Sequence, residues 1–177
     1  MKDLYWHQDF IVNLARVVRP KVYVELGIHR CALFNRVIDY ADQLIGVDKD
    51  KKFAEFMKKS PKAHFFHGDT QKFVKELEEH PLQIDMLFID ADHSKEAVLQ
   101  DFKSYFPFVA PHGLILLHDS HPGNEVMLRP VYCGTAYQAI EELSKETEAY
   151  EMVTIPVNPG LTLCRKRKKQ LSWHENK

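Results

Sequence analysis

Glycine is scarce in this chain. Seven glycines occur among 177 residues, and none falls in the G-x-G-x-x-G spacing that lets a backbone approach a pyrophosphate. That argues against a dinucleotide such as NAD or FAD. Cysteine is scarcer: Cys31, Cys133 and Cys164 are odd in number and far apart, so they form neither a disulfide framework nor a Cys-x-x-Cys zinc site. A reduced, cytoplasmic setting is expected. No apolar stretch reaches the roughly 20 residues that a membrane-spanning helix needs, and the opening MKDLYWHQDF has no signal-peptide core. Charge of one sign is not in excess either. Lys and Arg number 24 against 25 Asp and Glu, so nothing global favours nucleic acid. The one local asymmetry is Arg165-Lys166-Arg167-Lys168-Lys169, which reads as part of a flexible, solvated basic tail over 166–177. With no repeat, low-complexity segment or linker, a single domain over 1–177 is expected, beginning with an N-terminal helix within 1–20. A chain this long buries about 70% of its unfolded surface.

What is present is organised around residues 21–50, KVYVELGIHRCALFNRVIDYADQLIGVDKD. Val22-Tyr23-Val24-Glu25-Leu26 is an apolar run of the β-branched and aromatic residues that suit a buried strand. Gly27 stops it, as a tight strand-to-helix turn requires. Leu33, Phe34, Val37 and Ile38 recur at helical spacing, and a second apolar run, Leu44-Ile45-Gly46-Val47, ends on Asp48. This is a βαβ unit with a glycine at its first turn and a carboxylate at the tip of its second strand. In open α/β sheets that turn meets a nucleotide-like ligand and that carboxylate bonds ribose hydroxyls. The unit argues for a cofactor bearing adenosine but no pyrophosphate.

Around it, Leu4, Phe10, Ile11, Leu14, Val17 and Val18 mark an amphipathic helix stopped by Pro20. Residues 51–59 read as a short helix with Phe53 and Phe56 or Met57 inward, and 63–67 as a third strand. A helix over 71–79 presents Phe73, Val74 and Leu77, and 84–90 is a fourth strand. Ser94 or the acid before it caps a helix over 95–106, and 114–117 is a central strand running into His118-Asp119. Residues 120–134 carry two prolines and two glycines and read as a long loop, the kind that is commonly functional. A helix over 136–145 and a closing hairpin, 152–157 with 161–165, complete the chain. The alternation gives a doubly wound, Rossmann-like, mostly parallel α/β sheet of seven strands. Glu25, Asp48, Asp69, Asp90 and Asp119 all fall at or near strand carboxyl ends, the ligand-binding edge of such sheets.

With VELG, FIDADHSKEAVLQDF and PHGLILLHDS in place, the chain resembles the class I S-adenosylmethionine-dependent methyltransferases, and more closely their small O-methyltransferases. The resemblance runs from VELG to PGLTLCRKR and implies an antiparallel last strand in the hairpin. It also implies S-adenosyl-L-methionine as cofactor. Glu25 and Gly27 match the motif beside its methionine part, Asp48 the acid on the ribose hydroxyls, and Asp69 the acid near the adenine amino group. Cys31 departs from the pattern, standing where relatives carry a glycine. Some metal-dependent sugar O-methyltransferases of this type bind Mg²⁺ through an acid after strand four and two adjacent acids after strand five. That pattern maps to Asp90, His118 and Asp119, with Asp92 as base. His118 replaces an acid, which leaves fewer hard oxygen ligands for Mg²⁺ or another divalent cation.

The reaction implied is O-methylation of a hydroxyl on a small molecule or sugar. Asp92 or His93 would take the proton beside a metal; without one, His93 or His118 would act alone, since histidine titrates near neutrality. Each residue also has a structural role open to it. Asp90 and Asp92 can serve the next helix's N-terminus, His118 can be a buried hydrogen-bonded histidine, and His112 and His121 can be turn and loop residues. Three other readings stand beside this one. The chain is then a cofactor-binding protein without catalysis, an RNA methyltransferase, or a non-haem iron oxygenase using His118, Asp119 and His121. The last usually needs a β-barrel scaffold, and base-amine methyltransferases carry an Asn/Asp-Pro-Pro-aromatic motif that this sequence lacks. The acceptor's identity and the oligomeric state are not written in the sequence.

Overall fold

A computed structural model describes residues 5–146 and 148–167. Seven strands form one sheet: β1 (Val22–Leu26), β2 (Gln43–Asp48), β3 (Ala63–His67), β4 (Ile84–Ile89), β5 (Val109–His118), β6 (Tyr150–Ile155) and β7 (Leu161–Lys166). Their order is β3-β2-β1-β4-β5-β7-β6. The first five are parallel, and β7 inserts antiparallel between β5 and β6. The order reverses between β1 and β4, and there the carboxyl ends open a crevice for ligand.

Strand alternation sorts the core into two layers. Val22, Val24, Leu26, Leu87, Ile89, Ile115 and Leu117 face helices α3 (Thr70–Glu79), α4 (Lys95–Tyr105) and α5 (Ala136–Leu143). Tyr23, Met86, Phe88 and Leu116 face the opposite way, onto α1 (Trp6–Val18) and α2 (Phe34–Val37). Continuing the same alternation places Glu25, Asp90 and His118 on the α1 side of the sheet.

Several expectations need correction. The stripe that α1 buries is His7, Ile11 and Ala15, spaced four apart. Val17 and Val18 fall off that stripe and are 78% and 39% exposed; Leu4 lies outside the described residues. The expected helix over 51–59 is a 3-10 turn, Lys51–Phe56, that buries no residue, with Phe56 exposed. Strand β5 starts five residues earlier than the sequence suggested, because Pro111-His112-Gly113 lies within an irregular register between Ile84↔Val109 and Met86↔Leu114. Lys166, expected to open a basic tail, belongs to β7 together with Arg165. Arg165 pairs with Glu151, and Lys166 closes β7 with Nζ donating to the carbonyls of Phe106 and Val109, each at 2.8 Å. The rest of the expected tail, 168–177, lies outside the described residues. No helix among the described residues is long and apolar enough to cross a membrane.

Candidate functional site

The turn after β1 comes first. Gly27 has φ +84°, and a Cβ there would stand 2.2 Å from the Asp90 carbonyl oxygen, so the chain crosses β4 at a distance only glycine allows. His29 and Cys31 also hold positive φ, 43° and 56°. That explains Cys31: its backbone sits where glycine is at ease, and a cysteine there costs about 1–3 kcal/mol of local strain. Its thiol is buried and pushed up to about 11 by burial and by the nearby Glu25 and Asp48, so it stays protonated and unreactive.

Asp48 ends β2 beside this turn. Oδ2 accepts the His29 N–H at 3.1 Å and Oδ1 the Asp50 N–H at 2.9 Å. Each oxygen keeps a further lone pair, so the carboxylate can accept a ribose diol without breaking either bond. The donor set therefore fits an adenosine-bearing cofactor. Glu25 is buried and takes a 2.7 Å hydrogen bond from the Tyr23 hydroxyl. Burial, with Asp90 nearby, pushes its carboxyl up to about 8, although the Tyr23 bond opposes the rise. Asp69 caps α3 instead, accepting the Lys72 N–H at 2.8 Å, which holds it below the usual carboxylate range. The turn it occupies is tied down from α4. Asp101, buried, accepts from Thr70 Oγ1 at 2.6 Å and Gln71 Nε2 at 2.9 Å, and the Tyr105 hydroxyl donates to the Thr70 carbonyl at 2.6 Å.

The reaction cluster sits one step past the Ile89↔Leu117 pair of β4 and β5. In a regular strand His118 and Asp119 would point to opposite faces. Asp119 instead adopts φ +57°, which turns its carboxylate back toward its neighbour. His118 Nδ1 then lies 2.9 Å from Asp90 Oδ1 and 3.4 Å from Asp119 Oδ1, and its Nε2 lies 3.2 Å from His7 Nδ1. The two imidazoles overlap with centroids 4.0 Å apart. Burial alone would lower the affinity of His118 for a proton. The two carboxylates outweigh it and push the group up to about 10, so it is a cation at neutral pH and not a base.

His93 approaches from the start of α4. Its Nδ1 is 3.0 Å from Asp119 Oδ2 and is also hydrogen-bonded to the Tyr132 carbonyl. A nitrogen facing two acceptors carries the proton, which leaves the lone pair on Nε2. Burial raises the Asp119 carboxyl, yet the hydrogen bond and the charge of His118 hold it below the ordinary range. Asp92 is exposed and is held low by hydrogen bonding from the Ser94 side chain and from the Ser94 N–H, the latter at 2.8 Å, which makes it a weak base. His112 and His121 are exposed and stand outside the cluster.

As ligands for a divalent cation, the expected trio does not fit. His118 Nδ1 itself fills the space between the two carboxylates that an ion would take, and its Nε2 lies against His7. Asp90, His93 and Asp119 do offer ligand atoms within 4.8 Å of one another. His93 Nδ1 lies 3.0 Å from Asp119 Oδ2 and also faces the Tyr132 carbonyl.

Three segments converge over the cluster. Trp6 Nε1 of α1 donates to the carbonyls of Val157 and Asn158, both at 3.1 Å. The Asn158-Pro159-Gly160 turn holds the loop after β5, with Asn158 Oδ1 accepting Gly123 N–H at 2.7 Å and the Pro159 carbonyl accepting His121 N–H at 2.8 Å. At the loop's far end Thr135 N–H donates to the His93 carbonyl at 2.9 Å. Sequence reasoning missed His7, Asp101 and Tyr105. His7 was visible as the position four before Ile11 on the buried stripe.

Comparison with known proteins identifies the family. The family described as "Methyltransferase domain" matches residues 24–120, more than half of the chain. Uncharacterized protein R132 of Acanthamoeba polyphaga mimivirus is 27% identical over 134 residues, 67% of this chain and 61% of that protein, so the match spans less than two thirds of the relative's length. Among solved structures, the O-methyltransferase from Bacillus cereus in complex with SAH superposes with a TM-score of 0.77 at 14% identity, covering 92% of this chain and 81% of the other. The SAH-bound methyltransferase of Podospora anserina gives 0.71 at 18%, covering 92% and 78%. At such identities these structures share the fold, and the assignment rests on the family match. The chain belongs to the methyltransferase-domain family, of the class I S-adenosylmethionine-dependent type that its sequence resembles.

Proposed function

We propose that the protein transfers a methyl group from S-adenosylmethionine to a hydroxyl of a small molecule or sugar, with His93 as general base. The observation that carries this reading is the Asp119–His93 pair. Asp119 and the Tyr132 carbonyl fix the proton on Nδ1, and Nε2 is left as the acceptor at the ligand-binding edge of the sheet. Asp48 would hold the ribose, and the Gly27–Cys31 turn would pass beside the methionine part. S-adenosylmethionine, when bound, supplies an electrophilic methyl carbon on a sulfonium sulfur that leaves as a neutral thioether. The acceptor oxygen attacks that carbon in line, its proton passes to His93 Nε2, and the carbon–sulfur electron pair stays on sulfur. Asp119 stabilises the imidazolium that forms, and the proton is then released to solvent. The loop 120–134, with α1 and the hairpin turn, keeps water from the site.

Calorimetry with S-adenosylhomocysteine, followed by radiolabelled S-adenosylmethionine with a panel of sugars, phenols and small hydroxylated metabolites, tests the reading. Binding weakened by Asp48→Ala, with label transferred to an oxygen, is the expected result. An absence of binding would overturn the assignment.

A further inference from the structure

Ionisable groups surround His118. Asp90 and Asp119 approach it from the ends of β4 and β5, His93 from α4, and His7 from α1. Glu25, with Tyr23, lies behind it on β1, and Cys133 from the loop touches Asp119. The Asp119 side chain is only 6% exposed and that of Asp90 26%. Two carboxylates this close and this poorly solvated repel one another unless a cation lies between them. A single atom, His118 Nδ1, is within 3.4 Å of both.

We propose that the His118 imidazolium is the fixed cation of this site, bridging Asp90 and Asp119 with His7 closing its far side, so that the reaction runs without a divalent metal ion. This deepens the methyl-transfer reading and rests on it. A fixed imidazolium does two things that a metal ion would do. It neutralises the carboxylates, and it holds Asp119 in place to orient His93. It does not bind the acceptor oxygen, which is why a separate base is needed and why His93 is present. His7 is part of the device because the Nε2–H of the imidazolium needs a buried acceptor, and His7 Nδ1, at 3.2 Å, supplies it. His118 and His7 are therefore positioning residues. Neither touches the reacting atoms.

The test uses the full chain and reads binding and spectra as well as activity. The wild-type protein is titrated with MnCl₂ and free Mn²⁺ is followed by electron paramagnetic resonance. No site tighter than the millimolar range is expected. His118→Asp restores an acid at the cation's position and should bind Mn²⁺ at least about tenfold more tightly than wild type, as a third hard oxygen ligand would. In ¹⁵N-labelled wild type, both ring nitrogens of His118 should carry protons at neutral pH, with His7 neutral. A neutral His118, or a wild-type Mn²⁺ site that Asp90→Asn removes, overturns the proposal even if His118→Asp does not fold. S-adenosylhomocysteine binding is measured in parallel. Its absence would refute the methyl-transfer reading, whereas intact binding beside a tight Mn²⁺ site would refute only the metal-free device.

Discussion

Gly134 lies against His93 so closely that a Cβ on it would stand 2.5 Å from the His93 carbonyl oxygen, and its φ is +53°. The end of the long loop thus sets where the histidine stands. Gly134→Ala must either take on a left-handed alanine, at about 1–2 kcal/mol, or push His93 away. Methyl transfer should fall about tenfold or more while S-adenosylhomocysteine binding stays within twofold, because a small misplacement of a base is enough to cost rate. Equal losses in both measurements would mean that the loop supports the whole crevice and not His93 in particular.

His93→Gln keeps a polar side chain but removes the base. Its turnover should drop by about 10²–10⁴-fold, the usual contribution of a positioned acid–base group. Asp119→Asn should fall in the same direction. Single-turnover transfer at saturating cofactor is the measurement, and a rate within threefold of wild type would remove His93 from the role.

Asp48→Ala should weaken S-adenosylhomocysteine binding by about 1–3 kcal/mol, the cost of leaving buried hydrogen-bonding groups without a partner. Asp69→Ala should weaken it less, because Asp69 is exposed and already caps α3. Calorimetry on both variants gives the ranking, and a larger loss at Asp69 would reverse the assignment of the two acids.

Stability should fall as pH rises, for two reasons of the same sign. The Glu25 carboxyl stands near 8 in the fold against 4.5 ordinarily, so the folded chain holds a proton that the unfolded chain has lost between those values. For His118 the corresponding window runs from 6.5 to about 10. Its stabilisation is present in full below 6.5 and disappears as pH climbs through the upper value. Urea midpoints between pH 5 and 10 should show Glu25→Gln flattening the lower part and His118→Gln the upper part. A midpoint that rises across this range would contradict both assignments.

The loop 120–134 and α1 should be protected from hydrogen exchange when S-adenosylhomocysteine and acceptor are bound. Trp6→Phe, which deletes the donor to Val157 and Asn158, should reduce that protection. Protection confined to the residues around Gly27 and Asp48 would show that these segments do not cover the acceptor.

Much of the architecture was legible because it follows periodicity. Strands of alternating or continuous apolar residues and helices such as 71–79 announce themselves, and so does the row of acids at the strand ends. The roles within the cluster were not legible. The sequence writes His118 and Asp119 side by side, and regular strand geometry would send them to opposite faces. Only the left-handed backbone at Asp119 brings them together. His118 offers a base or a ligand on paper, and burial between two carboxylates makes it neither. Lys166 belongs to a basic run, yet its ammonium group lies against the carbonyls of Phe106, Pro107 and Val109, just past the end of α4.

The bond between Trp6 and the Asn158 turn has a consequence for how the molecule is made. Synthesis delivers α1 before the sheet and the hairpin after the five parallel strands, so residue 158 emerges long after Trp6. Until then α1 lacks its two hydrogen bonds to that turn. A nascent chain that has made all five parallel strands is therefore still without a finished site. Ribosome-stalled lengths ending before and after residue 166 would bracket the moment at which it is completed.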